Sequence, residues 1–179
     1  MRVVITAVGL ALAVALVAGG AQQARTAGAD QAPRGDAHDL TYDEQLAAVA
    51  EQVPTFAGLY VDGDTYVIKV TDGKLESAEA ARGPAAEILD RPDLATAEIR
   101  PEPAEFSWKQ LMQWYQSISP RVWEVADVTT TDIDDKDNII TVGVSDLDRD
   151  ERAVRAFAEA EGVPTAALEV IERQAVQPL

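Results

Sequence analysis

The chain has 179 residues, of which 47% are apolar and 26% are charged, and this balance excludes a wholly disordered protein. It contains no cysteine and a single histidine, so disulfides, thiolate catalysis and cysteine-based metal centres are excluded. Lys and Arg number 15 against 31 Asp and Glu, and the resulting net charge of −16 disfavours nucleic acid and anionic membranes as partners.

The first 21 residues have the pattern of a secretory signal peptide. Arg2 precedes an apolar run from Val3 to Ala18, and Gly-Gly-Ala at 19–21 supplies the small residues of a cleavage site. We therefore predict a cleaved signal at 1–21 and a secreted or extracytoplasmic, soluble mature protein. The alternative is an uncleaved N-terminal membrane anchor, because the run is close to the shortest length that spans a bilayer.

Residues 22–39 carry no hydrophobic periodicity and are predicted to form a flexible linker. The only histidine, His38, lies within it. A catalytic histidine must be held in a fixed geometry by its neighbours, so His38 is predicted to be a solvated linker residue.

The first half of the remaining chain reads as a helix, a hairpin, a helix and a strand. Thr41-x-x-Glu44 is a capping box that starts a helix over Thr41–Val53. The later elements are the strands Phe56–Val61 and Tyr66–Thr71 around the turn Asp62-Gly63-Asp64, a helix at about Glu76–Leu89 and a weaker strand at Ala95–Ile99. Gly83-Pro84 is predicted to break or restart that helix, and Pro101 and Pro103 to close the segment.

A central helix over Ser107–Ile118 has clear boundary signals. Ser107-x-x-Gln110 is a second capping box, and Phe106 with Leu111 occupies the positions of a hydrophobic staple. Its apolar stripe is predicted to pack in the core and consists of Trp108, Leu111, Met112, Tyr115 and Ile118. Trp114 lies off the stripe, so we predict an exposed tryptophan that anchors a partner.

The first pattern then returns. The predicted elements are the strands Val128–Ile133 and Asn138–Val144 around the turn Asp134–Asp137, a helix capped by Asp148-x-x-Glu151 that ends at Gly162, and the strand Leu168–Ile171. Asp64–Asp72 also aligns weakly with Asn138–Asp146. We predict an α+β domain over 40–179, built from two ββαβ units with three-stranded antiparallel sheets, at about 54–103 and 125–175.

Motifs that carry chemistry are incomplete. Asp146, Asp148 and Asp150 have the spacing that opens an EF-hand loop, but Glu151 replaces the glycine of the sixth position and Phe157 the glutamate of the twelfth. Serine-hydrolase, phosphate-loop and dinucleotide motifs are absent from the sequence. The sequence therefore predicts that the protein is not an enzyme and has no cofactor or metal site. One function that these features leave open, and that remains the alternative below, is a secreted acidic module that binds a cell-wall component or calcium.

Four stretches resemble the pro-region of secreted bacterial chymotrypsin-like proteases, the α-lytic protease and streptogrisin group. FAGLYVDGDTYVIKVTD (Phe56–Asp72) and VTTTDIDDKDNIITVGV (Val128–Val144) are similar to that family's two hairpins. FSWKQLMQWYQSI (Phe106–Ile118) resembles its central helix, and GVPTAALEV (Gly162–Val170) its closing turn and strand.

The resemblance implies a foldase and tight inhibitor of a protease, whose C-terminal sheet and tail pack on the enzyme. The tail would lie in the active-site cleft like a product. The partner-binding residues it implies here are Arg173, Gln174, Ala175, Val176, Gln177, Pro178 and Leu179. The sequence stops at Leu179, where the family continues into the enzyme, so we expect either a separately encoded chymotrypsin-like protease as the partner or another use of the domain.

Overall fold

A computed structural model describes residues 40–174, all of which belong to one compact unit. The predicted signal peptide, the linker with His38, and the tail residues 175–179 lie outside these residues. Within 40–174 no helix is long and apolar enough to cross a membrane.

Four α-helices and six strands make up the described region, and the predicted α+β class is confirmed. The helices are α1 (Tyr42–Gln52), α2 (Leu75–Ile88), α3 (Trp108–Ile118) and α4 (Leu147–Ala160). The strands are β1 (Phe56–Asp62), β2 (Thr65–Val70), β3 (Ile99–Pro103), β4 (Val128–Asp134), β5 (Ile139–Val144) and β6 (Leu168–Glu172).

The strands form two three-stranded sheets, ordered β1-β2-β3 and β4-β5-β6. Each hairpin is antiparallel, but β3 runs parallel to β2 and β6 runs parallel to β5. The prediction of purely antiparallel sheets was therefore wrong. A helix separates the second and third strands of each sheet, and such a crossover returns the chain to the end from which the second strand started.

The two sheets match in detail. Each first strand carries a register shift near its start, between Phe56 and Gly58 in β1 and between Val128 and Thr130 in β4. Tyr66 opposes Ile99 as Ile140 opposes Leu168. The two hairpins that align in sequence thus have the same strand order and the same strand pairing in the structure.

One continuous apolar core joins the two halves, and its largest fully buried side chains include Trp108, Phe56, Leu46 and Ile68. Of the predicted stripe on α3, Trp108, Leu111 and Ile118 are buried, whereas Met112 and Tyr115 are partly buried.

Both predicted capping boxes are present. The Thr41 and Ser107 side chains accept hydrogen bonds from the backbone N–H of Glu44 and Gln110, whose side chains bind the cap N–H in return. The predicted cap of α4 was wrong by two residues: Asp146 is the N-cap and accepts a bond from the Arg149 N–H at 3.1 Å. Asp148 lies in the first turn of the helix, where its charge favours the helix dipole.

Pro84 lies inside a continuous α2, so the predicted break at Gly83-Pro84 was also wrong. Proline has no N–H, so Pro84 leaves the carbonyl of Ala80, four residues earlier, without its helical hydrogen bond. Ala80 is exposed, and water can solvate this carbonyl. Buried alanines on both sides of the proline hold the helix against the core; they are Ala78, Ala81, Ala85 and Ala86.

We expect Pro84→Ala to stabilise the protein. Alanine restores the missing intrahelical bond but also gives the unfolded chain more conformational freedom, which favours unfolding. The net effect should be a rise of about 1–2 kcal/mol in the free energy of unfolding. Urea unfolding followed by far-ultraviolet circular dichroism measures this change. A lower unfolding midpoint in the variant would show that the proline ring makes a packing contribution larger than the bond it removes.

The third strand of the first sheet, β3, begins at Ile99, whereas the strand predicted from the sequence ends at that residue. Pro101 and Pro103 were predicted to follow the strand, but both lie within it. The Ala104 N–H donates to the Val70 carbonyl at 3.1 Å, and since alternate residues face alternate sides, Pro101 and Pro103 have their backbone nitrogens on the outer edge. A proline is tolerated there because no ladder bond is lost.

Candidate functional site

The outer edge of β6 presents backbone groups without partners at its C-terminal end, beyond the Leu168 carbonyl that accepts Arg155 of α4 at 3.4 Å. The Arg173 N–H donates to the Val144 carbonyl at 2.8 Å, so Arg173 and Ile171 face β5. By alternation, the N–H and C=O groups of Val170 and Glu172 point away from the sheet. Among residues 40–174 these groups have no hydrogen-bond partner.

The equivalent edge of the first sheet is closed. The matched pairing of the two sheets places Pro101 of β3 at the position of Val170, and Pro103 at that of Glu172. Proline has no N–H to offer an added strand, and edge prolines are a common protection against strand pairing. The two halves therefore share a topology but differ in whether the third strand can pair with another chain.

Helices contact the other two edges through tyrosine hydroxyls. Tyr42 on α1 donates to the outward carbonyl of Leu59 in β1 at 2.9 Å. Tyr115 on α3 lies 3.5 Å from the equivalent carbonyl of Thr131 in β4. These contacts occupy one acceptor of each edge and fix the helices against the sheets.

The predicted partner residues lie in two separate places. Trp114 is half-buried, and its ring packs edge-to-face against Phe106 with centroids 5.2 Å apart. The more exposed tryptophan is Trp123, at 49%. Of the predicted tail, Arg173 and Gln174 are exposed and continue directly from the open end of β6.

The turn of the second hairpin, residues 135–138, packs against the first half of the chain. Asn138 is 4% exposed, and its side-chain amide donates to the carbonyls of Ala57 and Phe106 while its Oδ1 accepts the Phe106 N–H. Lys69, a buried lysine of β2, donates to the carbonyl of Lys136. These bonds join β1, β2 and the start of α3 to the second hairpin.

Gly58 makes this close approach possible. It has a φ of 147°, and a Cβ at this position would lie 3.0 Å from the Asp135 carbonyl oxygen and 3.2 Å from the Asp135 Cβ. Such a conformation and such a distance leave room for glycine alone.

A cleft of about 290 Å³ opens beside this junction. Its walls come from α1, β1, the start of β2, the end of α2 and the second hairpin turn. They include Tyr42, Tyr60, Tyr66, Leu89, Arg91 and Asp135. The Tyr42 hydroxyl lies 3.3 Å from Asp135 Oδ2, and Arg91 lies over the Tyr66 ring at 5.4 Å from its centroid.

Burial shifts the acid–base behaviour of this cleft. Burial raises the pKa of Asp135 to about 6, the hydrogen bond from Tyr42 opposes that rise, and the neighbouring charge of Asp134 adds to it. Burial, followed by the charge of Asp135, raises the pKa of Tyr42 well above its usual range. Burial and the charges of Asp132 and Glu44 also raise the pKa of Asp43.

We expect Asp135→Asn to stabilise the protein at neutral pH. The folded pKa of Asp135 lies above that of a free carboxyl, so folding disfavours the ionised form, and stability is lost as the pH rises from about 4 to 6. For a half-buried group such as Asp135 this loss amounts to about 1 kcal/mol once solvent screening is allowed for.

Urea unfolding at pH 4.5 and pH 7.5 checks this expectation. The wild type should lose stability relative to Asp135→Asn mainly between these two pH values, with the larger difference at pH 7.5. Asp137→Asn, in the same turn but exposed, removes an equal charge and is the matched control. An equal gain in both variants would assign the effect to net charge alone.

The aspartates with calcium-like spacing do not converge. Asp146 caps α4, and Asp150 is 6% exposed and bonded by the Arg149 guanidinium. Among residues 40–174, no group of three or more histidine or acidic side chains is placed to hold a metal ion.

Comparison with protein-family profiles gives no match, and comparison with curated proteins gives no significant one. The sequence pattern predicts no site role for Asn138, Asp135 or Tyr42. For Asn138 the available signal is an asparagine at the end of an acidic turn, a residue type that tolerates a left-handed conformation. The structure gives Asn138 a φ of 61°. For Asp135 and Tyr42, residues 93 positions apart, the sequence offered no signal.

Proposed function

We propose that this is a secreted, non-enzymatic protein that binds a chymotrypsin-like protease through the edge of β6 and the segment 173–179. Binding would inhibit the protease or assist its folding, as the resemblance to the pro-regions implies. The observation that carries the proposal is the pair of unlike edges: Val170 and Glu172 leave β6 open where Pro101 and Pro103 close β3.

The chemistry of this edge suits a protein partner. An added strand gains affinity from main-chain hydrogen bonds and specificity from alternate side chains, and neither needs a catalytic residue. The segment after β6 begins with exposed Arg173 and Gln174, so a partner on this edge would also meet the tail.

Glu172→Pro tests the edge. Glu172 is exposed, so proline removes its outward N–H without removing a core side chain, and it reproduces the residue at the matched position of β3. We expect the purified protein to slow peptide hydrolysis by trypsin or by a bacterial protease of the α-lytic group at micromolar concentration. The variant should bind about tenfold more weakly, the equivalent of one lost hydrogen bond.

Glu172→Ala is the matched control, because it removes the same charge and retains the N–H. Its inhibition constant should stay close to that of the wild type. A protein without residues 175–179 measures the share of the tail separately. If neither protease is bound or slowed at micromolar concentration, or if Glu172→Ala weakens binding as much as Glu172→Pro, the proposal is wrong.

A further inference from the structure

The tyrosine-lined cleft, defined by Tyr42, Tyr60, Tyr66, Arg91 and Asp135, lies in a part of the molecule that the proposed protease contact does not use. It follows the outer edge of β1 beside α1. It is large enough, at about 290 Å³, for one long side chain of a partner.

One carboxylate in this cleft lacks a cation. Asp135 accepts the Tyr42 hydroxyl, and no basic side chain among residues 40–174 forms an ion pair with it. The basic residue that lines the cleft, Arg91, is paired with Asp93 at 3.4 Å and bonded to the Tyr66 hydroxyl. A charge partly removed from water and left unpaired is unfavourable, and a bound cation would relieve that cost.

Charged neighbours reinforce the negative character of this end of the cleft. Tyr42 of α1 bonds to Asp135, and the charge of Asp134 in the same turn acts on it directly. Asp43 of α1 and Arg91 act on Tyr42, and Asp132 of β4 acts on Asp43. Two lysines lie at the same turn: buried Lys69 of β2 donates to the Lys136 carbonyl, and the charge of exposed Lys136 acts on the Asp62 carboxylate of β1.

The aromatic walls suit the flat or rounded head of a basic side chain. A cation over a tyrosine ring is attracted by the negative face of the ring. The Arg91 guanidinium already lies 5.4 Å from the centroid of the Tyr66 ring, which shows that such stacking fits the dimensions of this surface.

The backbone beside the cleft favours a polypeptide over a free amine. Leu59 points its carbonyl outward to Tyr42, and Val61, two residues on, therefore has its N–H and C=O outward as well. The Val61 side chain is 53% exposed, and among the described residues its outward groups have no partner. An extended peptide could bond there with its main chain while its side chain enters the cleft.

We propose that this cleft binds an arginine or lysine side chain of a partner polypeptide, with its cation between Asp135 and the tyrosine rings and its backbone against Val61. Because the cation pairs with ionised Asp135, binding is strongest above pH 6 and weakens in acid. The site is independent of the β6 edge, so each can fail without the other.

Nuclear magnetic resonance titration with N-acetylarginine amide tests the site directly. We expect saturable shifts at Tyr42, Val61 and Asp135, and an affinity at least about tenfold higher at pH 7.5 than at pH 4.5, which corresponds to loss of a close charge pair. Asp135→Asn should lose a similar factor at pH 7.5, whereas Asp137→Asn should retain wild-type affinity.

Two further compounds separate the alternatives. N-acetylcitrulline amide has the same shape without the charge and should bind at least about tenfold more weakly. Butylguanidine carries the same single guanidinium charge without peptide groups and should bind more weakly than the capped arginine. The proposal fails if no shifts saturate, if the uncharged analogue binds equally, if butylguanidine binds as tightly as the capped residue, or if Asp137→Asn loses as much as Asp135→Asn.

Discussion

Asn138→Ala should lower the free energy of unfolding by about 4 kcal/mol, because it leaves buried backbone groups of Ala57 and Phe106 without partners. Asn138 makes three hydrogen bonds of 2.9 to 3.1 Å from a side chain that is 4% exposed. Alanine would also have to adopt a φ of 61° at this position. Urea unfolding followed by tryptophan fluorescence measures the loss.

Two variants separate the hydrogen bonds from the backbone strain. Asn138→Gly removes the bonds but tolerates the positive φ, so it should cost about 1 kcal/mol less than the alanine variant. Asp90→Ala places alanine at a φ of 50° on the exposed surface and reports the strain alone, about 1 kcal/mol. A loss below 1 kcal/mol in Asn138→Ala would mean that water replaces the side chain at the junction.

Trp108→Ala should cost a similar amount, about 4 kcal/mol, because it empties the largest fully buried side-chain position of the described core. The indole N–H of Trp108 also donates to the Asp43 carbonyl at 3.2 Å, which ties α3 to α1. The loss should appear as a lower midpoint in urea unfolding followed by circular dichroism, since removal of a tryptophan alters the fluorescence signal.

Trp123→Ala is the matched control for residue type. Trp123 is 49% exposed, so its replacement should change the stability by about 0.5 kcal/mol or less. Trp108→Phe should fall between the two, because phenylalanine fills part of the site but leaves the Asp43 carbonyl unpaired. Equal losses in Trp108→Ala and Trp123→Ala would contradict the burial on which the prediction depends.

The elements that the sequence located well are those with local signals. Thr41 and Ser107 bind a backbone N–H three residues away, so each capping box is visible in four consecutive residues. Every end of the four hairpin strands was predicted to within one residue, because alternation of apolar residues and an acidic turn are both short-range patterns. The twofold recurrence of the hairpin pattern also followed from spacing alone.

The wrong strand direction and the wrong proline predictions have a common physical origin in contacts between residues that lie far apart in the chain. The parallel direction of β3 and β6 depends on where α2 and α4 return the chain to the sheet. Pro84 remains within a helix because buried alanines press α2 against the core. Pro101 and Pro103 fit a strand only if that strand lies at the edge of a sheet. The position of β3 at the edge depends on the strand order of the folded sheet, which local sequence patterns do not give.

The sites divide in the same way. The sequence by itself determined an acidic, cysteine-free α+β chain, the helix starts and the hairpins, because these depend on composition and on neighbours within a few residues. Only the tertiary structure decided that β6 is open where β3 is closed, and that Tyr42 meets Asp135 across 93 positions. Strand order, burial and the resulting shift of a pKa are properties of packed surfaces, and these surfaces exist only after the two halves have come together.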